Sequence, residues 1–340
     1  MMYNRKGTIL VTSLWILAIL SILAMGIGFR VSIEARLAKY NIDSLRALYL
    51  AKAGAAKAAY RLLKTPTTTD SLYESGVLFS SEEKSDPAKA AAVFNDSLGD
   101  GYFSVGYKEG GVFYSGMSEE ERRININTAP ENVLKNLLIY VGEDPTIASC
   151  IVQWRSPGPG LNDGYYESLP FSYKCKHAKF SAPEELLLVK GVTRNLFEKV
   201  KDYITVSGPD KFVININTAP KTVLSTIIMA DASADGSIDK ITADFCSDKI
   251  IALRNGYDGQ QGTKDDNKFT TSNINLEQIS QGALSATQSS NLTKDFTISS
   301  VYFRIESKGV VKKTKAEKRV VYIVQKIQGK APKLISYREY

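Results

Sequence analysis

One uncharged stretch constrains this chain more than anything else in it. TILVTSLWILAILSILAMGIGF, from Thr8 to Phe29, holds no acidic or basic residue. At 1.5 Å per residue it is long enough to cross a bilayer as a helix. Backbone amides left unpaired in hydrocarbon cost several kcal/mol each, so a lone segment of this kind must be helical there. Arg5 and Lys6 precede it, which favours a cytoplasmic N-terminus, although Arg30, Arg36 and Lys39 beyond it weaken that bias. Three readings compete. A secretory signal has a shorter apolar core and a small-x-small cleavage site, whereas this run ends in AMGIGF and flows into a helical pattern. A plain anchor leaves the short basic segment ending in Gly7 unexplained. A short basic leader ending at Gly7, with the apolar helix beginning immediately after it, accounts for both.

The helical pattern continues past the apolar run. Between Arg30 and Leu63 there is no proline, and Gly54 is the one glycine. Leu48, Ala55 and Leu62 recur at intervals of seven beside Leu45, Ala51, Ala58 and Ala59, which predicts one apolar stripe on a good helix-forming sequence. The expectation is a single helix about 80 Å long, with residues 8–29 as its membrane half and 30–64 as a stem. Pro66 and the threonines of TPTTTD end it.

Further on, ININTAP occurs at 124–130 and again at 214–220. The match extends: ENVLKNLLIY follows the first copy and KTVLSTIIMA the second, and CIVQWR (150–155) parallels KIIALR (249–254). Each is followed by a Gly-rich loop and a phenylalanine, Phe180 or Phe269. A unit of this length occurring twice predicts a mostly helical duplicated subdomain rather than a solenoid. Within the heptapeptide, alternating Ile and Asn predict a short strand. Thr128 with Glu131 reads as a capping box for the next helix, and Thr218 as the cap of the second copy, where Lys221 replaces the glutamate.

Strand signals flank the repeat. GYFSVGYKEGGVFYSG (101–116) alternates around a Gly-Gly turn, and SSVYFRIESKGVV (299–311) faces VVYIVQKI (320–327) across KKTKAEKR. These predict an antiparallel sheet interrupted by the insertion, hence an α+β fold. The expected segments are 65–123 for the first part of the head, 124–292 for the insertion and 293–340 for the closing strands and tail.

Composition excludes several classes. One histidine, His177, and no CxxC pair among three cysteines argue against zinc-ribbon, redox or His-dependent nucleophilic chemistry, so no enzyme is expected. The net charge of +7 is thinly spread. LLLVKGVTRNLFEKVKDYI (186–204) resembles a helix-hairpin-helix of competence DNA receptors, but its turn lacks the second glycine and a dense basic patch, so nucleic acid is not the expected partner. For an exported chain, Cys150 and Cys175 are the candidate disulfide pair, leaving Cys246 over.

Lys6-Gly7 and the helix from Thr8 resemble type IV pilins and pseudopilins. The resemblance implies cleavage by prepilin peptidase after Gly7 and methylation of Thr8. Most of that family has glutamate at the fifth mature position; this chain has Thr12. A buried carboxylate needs a cation, taken in pilins to be a neighbour's N-terminal amine, so its lack points to the end of a filament. ESLPFSYKCKHAKFSAPEELLLVKG, the two NINTAP blocks and SSVYFRIESKGVV together resemble the K-type minor pseudopilins of type II secretion, from Lys6 to about Lys326. That resemblance implies a pilin-like head carrying a helical insertion on a single-pass inner-membrane helix, with the body in the periplasm. It further implies a tip subunit that caps and initiates the pseudopilus with I- and J-type partners, and contact with secreted substrates or the outer-membrane channel. The rival is a minor pilin of a type IV pilus or competence system with a DNA- or surface-binding insertion. The family fold is associated with calcium; Asp258, Asp265 and Asp266 in GYDGQQGTKDDNKF (256–269) are the candidate ligands.

Overall fold

The computed structural model describes residues 5–64, 94–109, 111–230, 237–259, 261, 265–270 and 274–340. Residues 65–93 of the expected first part of the head (65–123), and residues 260 and 262–264 of the acidic loop, lie outside the described residues.

Helix α1 runs unbroken over Arg5–Lys64, about 90 Å at 1.5 Å per residue. Among the described residues its Thr8–Leu63 portion is the one helix long and apolar enough to cross a membrane. Ile9, Leu10, Trp15 and Phe29 all face outward. The hydroxyls in this half donate back to their own helix: Thr12 Oγ1 to the carbonyls of Thr8 and Ile9 at 3.0 Å each, and Ser21 Oγ to that of Leu17 at 2.8 Å. The helix can therefore meet lipid without leaving these donors unpaired.

Past Phe29 the helix becomes a stem that packs on a sheet. Its buried face is Ala47, Leu50, Ala51, Ala55, Ala58 and Leu62, which keeps Ala51, Ala55, Ala58 and Leu62 of the expected stripe and adds Ala47 and Leu50 at its start. Leu48 is half-buried and Leu45 stays exposed. Close approach decides the difference. A Cβ on Gly309 would sit 2.1 Å from the carbonyl oxygen of Ala47 and 2.4 Å from the amide of Ala51, so small residues, not leucines, line the closest contact.

Strands β1 (Asn95–Leu98), β2 (Gly101–Glu109), β3 (Val112–Ser115) and β4 (Ser118–Glu119) come next. The chain then enters the insertion: β5 (Ile124–Asn125), α2 (Glu131–Tyr140), α3 (Ile147–Arg155), α4 (Asp163–Glu167), a 3-10 turn over Pro183–Leu188, α5 (Arg194–Val200) and β6 (Ile204–Thr205). The second half follows with β7 (Ile214–Asn215), α6 (Lys221–Met229), α7 (Lys240–Arg254), α8 (Leu276–Ile279), α9 (Ala286–Leu292) and β8 (Phe296–Thr297). Strands β9 (Tyr302–Val311), β10 (Glu317–Ile327) and β11 (Lys330–Glu339) close the chain.

The head sheet has the order β1-β2-β9-β10-β11, with β3 on β2 and β4 on β9, antiparallel throughout. Pairing of β2 with β9, Phe103 opposite Gly309, joins sequence from either side of the insertion. Phe303, Ile305, Val320 and Val324 point toward Ala51, Ala55, Ala58 and Leu62 of α1 in one apolar cluster. The insertion has a core of its own, spanning Ile124 to Phe296 and drawing on both halves: Leu134, Leu137 and Trp154 from one, Leu224, Ile228 and Ile250 from the other. Two folding units, each with a private core, explain why the sheet tolerates so long an interruption.

Candidate functional site

The duplicated heptapeptide sits at the centre of each half. In the first copy Ile124 pairs in parallel with Ile204; in the second, Ile214 with Phe296. The first asparagine of each copy folds the chain on itself: Asn125 Oδ1 accepts from the amide of Asn127, and Asn215 Oδ1 from that of Asn217, both at 3.0 Å. The second asparagine reaches across the half. Asn127 accepts from the amide of Phe180 at 2.7 Å and donates to the carbonyls of Phe180 and Val206. Asn217 does the same with Phe269 and Ile298. The arginine that ends each matching helix completes the clamp. Arg155 donates to the carbonyls of Ile126 and Ala129, and Arg254 to those of Ile216 and Ala219.

The caps expected at Thr128 and Thr218 are not formed. Helices α2 and α6 start at Glu131 and Lys221 with prolines, Pro130 and Pro220, at the cap position and no side-chain cap bond. The asparagine turn pulls the backbone round earlier, with the amides of Ala129 and Ala219 bonded to the carbonyls of Asn125 and Asn215. Thr128 Oγ1 is buried without a partner, Glu131 pairs with Lys135 at 2.8 Å, and Thr218 Oγ1 donates to the Glu119 carboxylate.

That last contact belongs to a buried junction that the sequence reading did not single out. Ser118, Glu119, Glu120, Glu121 and Arg122 are each at most 3% exposed, so this charged run is interior, not solvated surface. Glu119 Oε2 accepts from Asn215 Nδ2 and Ser300 Oγ at 3.1 and 3.0 Å. Glu120 meets Arg304 Nε of β9 at 2.7 Å and the Thr205 hydroxyl. Glu121 accepts from the amides of Val301 and Tyr302 at 2.8 and 3.1 Å. Arg122 donates to the carbonyl of Thr218, and Arg123 to the carbonyls of Glu119 and Asp202 and to Ser118 Oγ. The run thus welds β4 and β9 of the head to both halves of the insertion.

The electrostatics follow from burial. Burial pushes the Glu121 carboxyl up to about 8, against the pull of the two amides, so it is largely protonated at neutral pH. Burial would raise Glu120 too, but the guanidinium groups of Arg304 and Arg123 hold it below the ordinary carboxylate range. Arg123, buried beside Arg304, drops to about 10. Desolvation on this scale is tolerated only because most of the charges meet an opposite charge or a backbone group.

The remaining sequence candidates are dispersed. Gly7, Thr8 and Thr12 lie along α1. Cys150, Cys175 and Cys246 are free thiols, so the expected Cys150–Cys175 bond is not formed; Cys150 Sγ instead accepts from Asn162 at 3.4 Å. Asp265 Oδ2 accepts from the amides of Tyr257 and Asp258 at 2.7 and 3.0 Å, tying the acidic loop across its base. Of the basic residues in the hairpin-like stretch, Lys190 donates to Asn162 at 3.2 Å and lies over the Tyr165 ring, while Lys199 pairs with Glu143. Two of its lysines therefore already have protein partners, as a phosphate-binding face would not require.

Residues 116–209, which carry the junction and the first half of the insertion, match the family described as type II secretion system protein K. Over that segment the chain is similar to the K-type proteins of type II secretion. A comparison with curated proteins finds no match. Among solved structures the chain is similar to one in the crystal structure of the GspK-GspI-GspJ complex from the type 2 secretion system of enterotoxigenic Escherichia coli, with a TM-score of 0.62 and 13% identity over 89% of this chain and 99% of that one. At that identity the likeness is one of fold. The fold of this chain, a long N-terminal helix on an antiparallel sheet with an inserted helical domain, is the one the sequence pattern anticipates.

Proposed function

We propose that this chain stands at the tip of a type II secretion pseudopilus, where it caps the filament and initiates its assembly for protein export across the outer membrane. Thr12 carries this reading. Its hydroxyl bonds to the carbonyls of Thr8 and Ile9 in its own helix, so it asks for no cation from a subunit stacked beyond it. A buried glutamate at the same place would need one. The outward apolar residues of the stem, including Ile33, Leu37, Ile42 and Leu45, supply a surface for neighbouring pseudopilin helices on one side. I- and J-type minor pseudopilins are the proposed neighbours. The Escherichia coli structure, which contains GspK, GspI and GspJ together, supports that choice.

In this reading α1 anchors the chain once in the inner membrane and the head and insertion stand in the periplasm. Prepilin peptidase cuts between Gly7 and Thr8. Calcium is proposed for the acidic loop. Its donors are hard oxygens, and Asp258, Asp265 and Asp266 would hold the ion. The three carboxylates do not converge as they stand, with Asp265 Oδ2 turned to the amides of Tyr257 and Asp258, so binding would have to draw them together.

The test is the intact mass of the protein purified from membranes with and without the peptidase. A species beginning at methylated Thr8 is expected only with the peptidase present. An intact Met1 in both, or a cut near Gly28, would remove the chain from this class.

A further inference from the structure

A single histidine argues against a zinc ribbon, yet His177 lies beside two other ligand types. Asp163, Cys175 and His177 bring one carboxylate oxygen, one sulfur and one ring nitrogen within 4.8 Å of one another, and are the one such metal-ligand group among the described residues. We propose that Asp163, Cys175 and His177 form a binding site for a thiophilic divalent metal of the zinc class.

Counting donors and acceptors makes the case. His177 Nδ1 lies 3.2 Å from the carbonyl oxygen of Ser156, which can only accept. In a neutral ring that places the proton on Nδ1 and a lone pair on Nε2. Yet Nε2 faces the Asp163 carboxylate at 3.1 Å. Nε2 meets that carboxylate in one of two ways, as an imidazolium N–H paired with Asp163 or as a lone pair with a cation held between them, and the nearby sulfur favours the second. A metal-bound histidine with its other N–H on a backbone carbonyl is the usual outer arrangement of such sites.

The other two ligands are prepared in a similar way. Asp163 Oδ2 accepts from the amide of Gly160 at 2.9 Å, while Oδ1 has the His177 ring, at 3.1 Å, as its neighbour of opposite character. Burial, with the Asp163 carboxylate, holds the Cys175 thiol above its ordinary range against the pull of the His177 and Lys176 amides, so without a cation the sulfur stays protonated. The backbone at His177 is held at φ +49°, in the left-handed region that a non-glycine residue rarely adopts. That turn is what returns the ring toward Asp163, two residues past the sulfur.

Ligands on one tetrahedral zinc ion at 2.0–2.3 Å stand about 3.3–3.8 Å apart, so closure from separations within 4.8 Å needs a contraction of about 1–1.5 Å at most. The side chains of His177 and Asp163 are 23% and 29% exposed, which leaves an entry path and room for water as a fourth ligand. Binding converts the Cys175 thiol to thiolate and releases its proton to solvent. Sulfur and nitrogen ligands distinguish the site from the all-oxygen acidic loop.

The test uses the full chain in detergent, purified without reductant, stripped with chelator and titrated with Co2+. One equivalent should bind and give the near-ultraviolet sulfur-to-cobalt charge-transfer absorption together with the visible bands of tetrahedral cobalt, both displaced by Zn2+. Cys175→Ser should abolish the charge-transfer band and His177→Gln should weaken binding by more than about tenfold, while Cys150→Ser should leave both intact. Cobalt binding without the charge-transfer band, indifference to Cys175→Ser, no binding at all, or a Cys150–Cys175 disulfide in the isolated protein would each overturn the proposal. Thermal unfolding of the metal-free variants, compared with metal-free parent, separates lost ligation from lost folding.

Discussion

Asn217 accepts a hydrogen bond from the backbone amide of Phe269 at 2.7 Å, though 52 residues of chain separate them. The same side chain donates to the carbonyls of Phe269 and Ile298, and it is wholly buried. Asn217→Ala would strand three backbone groups, each worth about 1–3 kcal/mol when left unpaired and buried. We expect a loss of about 3 kcal/mol or more in denaturant unfolding. Asn217→Asp should do no better, because two carbonyls would then face a carboxylate. An aspartate variant as stable as the parent would contradict the clamp.

Arg254 is 4% exposed, and its copy-one counterpart Arg155 is only partly buried. Removing either frees two carbonyls, but only Arg254→Met leaves them without water. Arg254→Met should cost about 3–5 kcal/mol and Arg155→Met clearly less. Equal losses would mean that the two clamps do not differ in the way burial dictates.

The junction predicts a particular pH dependence. Glu121 has its carboxyl raised by burial to about 8 in the folded chain against 4.5 unfolded. The folded state therefore holds a proton that the unfolded state has lost between those values. Its contribution is fully present below about pH 4.5 and disappears as pH rises through 8, a change on the order of a few kcal/mol. Thermal unfolding should thus fall between pH 6 and pH 9, and Glu121→Gln, which mimics the protonated form, should flatten that slope. A Gln variant with an unchanged slope would assign the dependence to other groups.

Gly309 admits no side chain because backbone atoms of Ala47 and Ala51 occupy the space. Gly309→Ala should push the stem off the sheet, costing about 1–3 kcal/mol, and expose the stem to protease near Ala51. Unaltered protease resistance would show that the helix does not dock there.

Calcium, if held by the acidic loop, should raise the melting temperature and lose that effect in Asp265→Ala. EGTA without effect on the parent protein would sink this assignment.

Much of the architecture can be read before any coordinates. Alternation in GYFSVGYKEGGVFYSG and around SSVYFRIESKGVV marks the hairpins, which pair as Gly106 with Ser115 and Ile305 with Tyr322. The twin ININTAP marks the duplication. What it does not reveal is its own chemistry, because Asn127 and Asn217 bond to residues far along the chain while Thr128 offers a familiar local motif. The junction is hidden for a similar reason. SEEERR looks like solvated charge until Arg304 and the amides of Val301 and Tyr302, almost two hundred residues later, are brought against it. β11 is masked by Pro332 and its charges, which suit an edge strand, where one side of the ladder faces solvent.

The tip assignment is tested most directly by composition of the complex. The full chain, tagged and coexpressed with I- and J-type minor pseudopilins, should be purified and its stoichiometry read by native mass spectrometry. One copy of each of the three subunits is the predicted result. This chain recovered alone, or as a homopolymer of itself while the I- and J-type proteins fold and pass through unbound, would contradict the account.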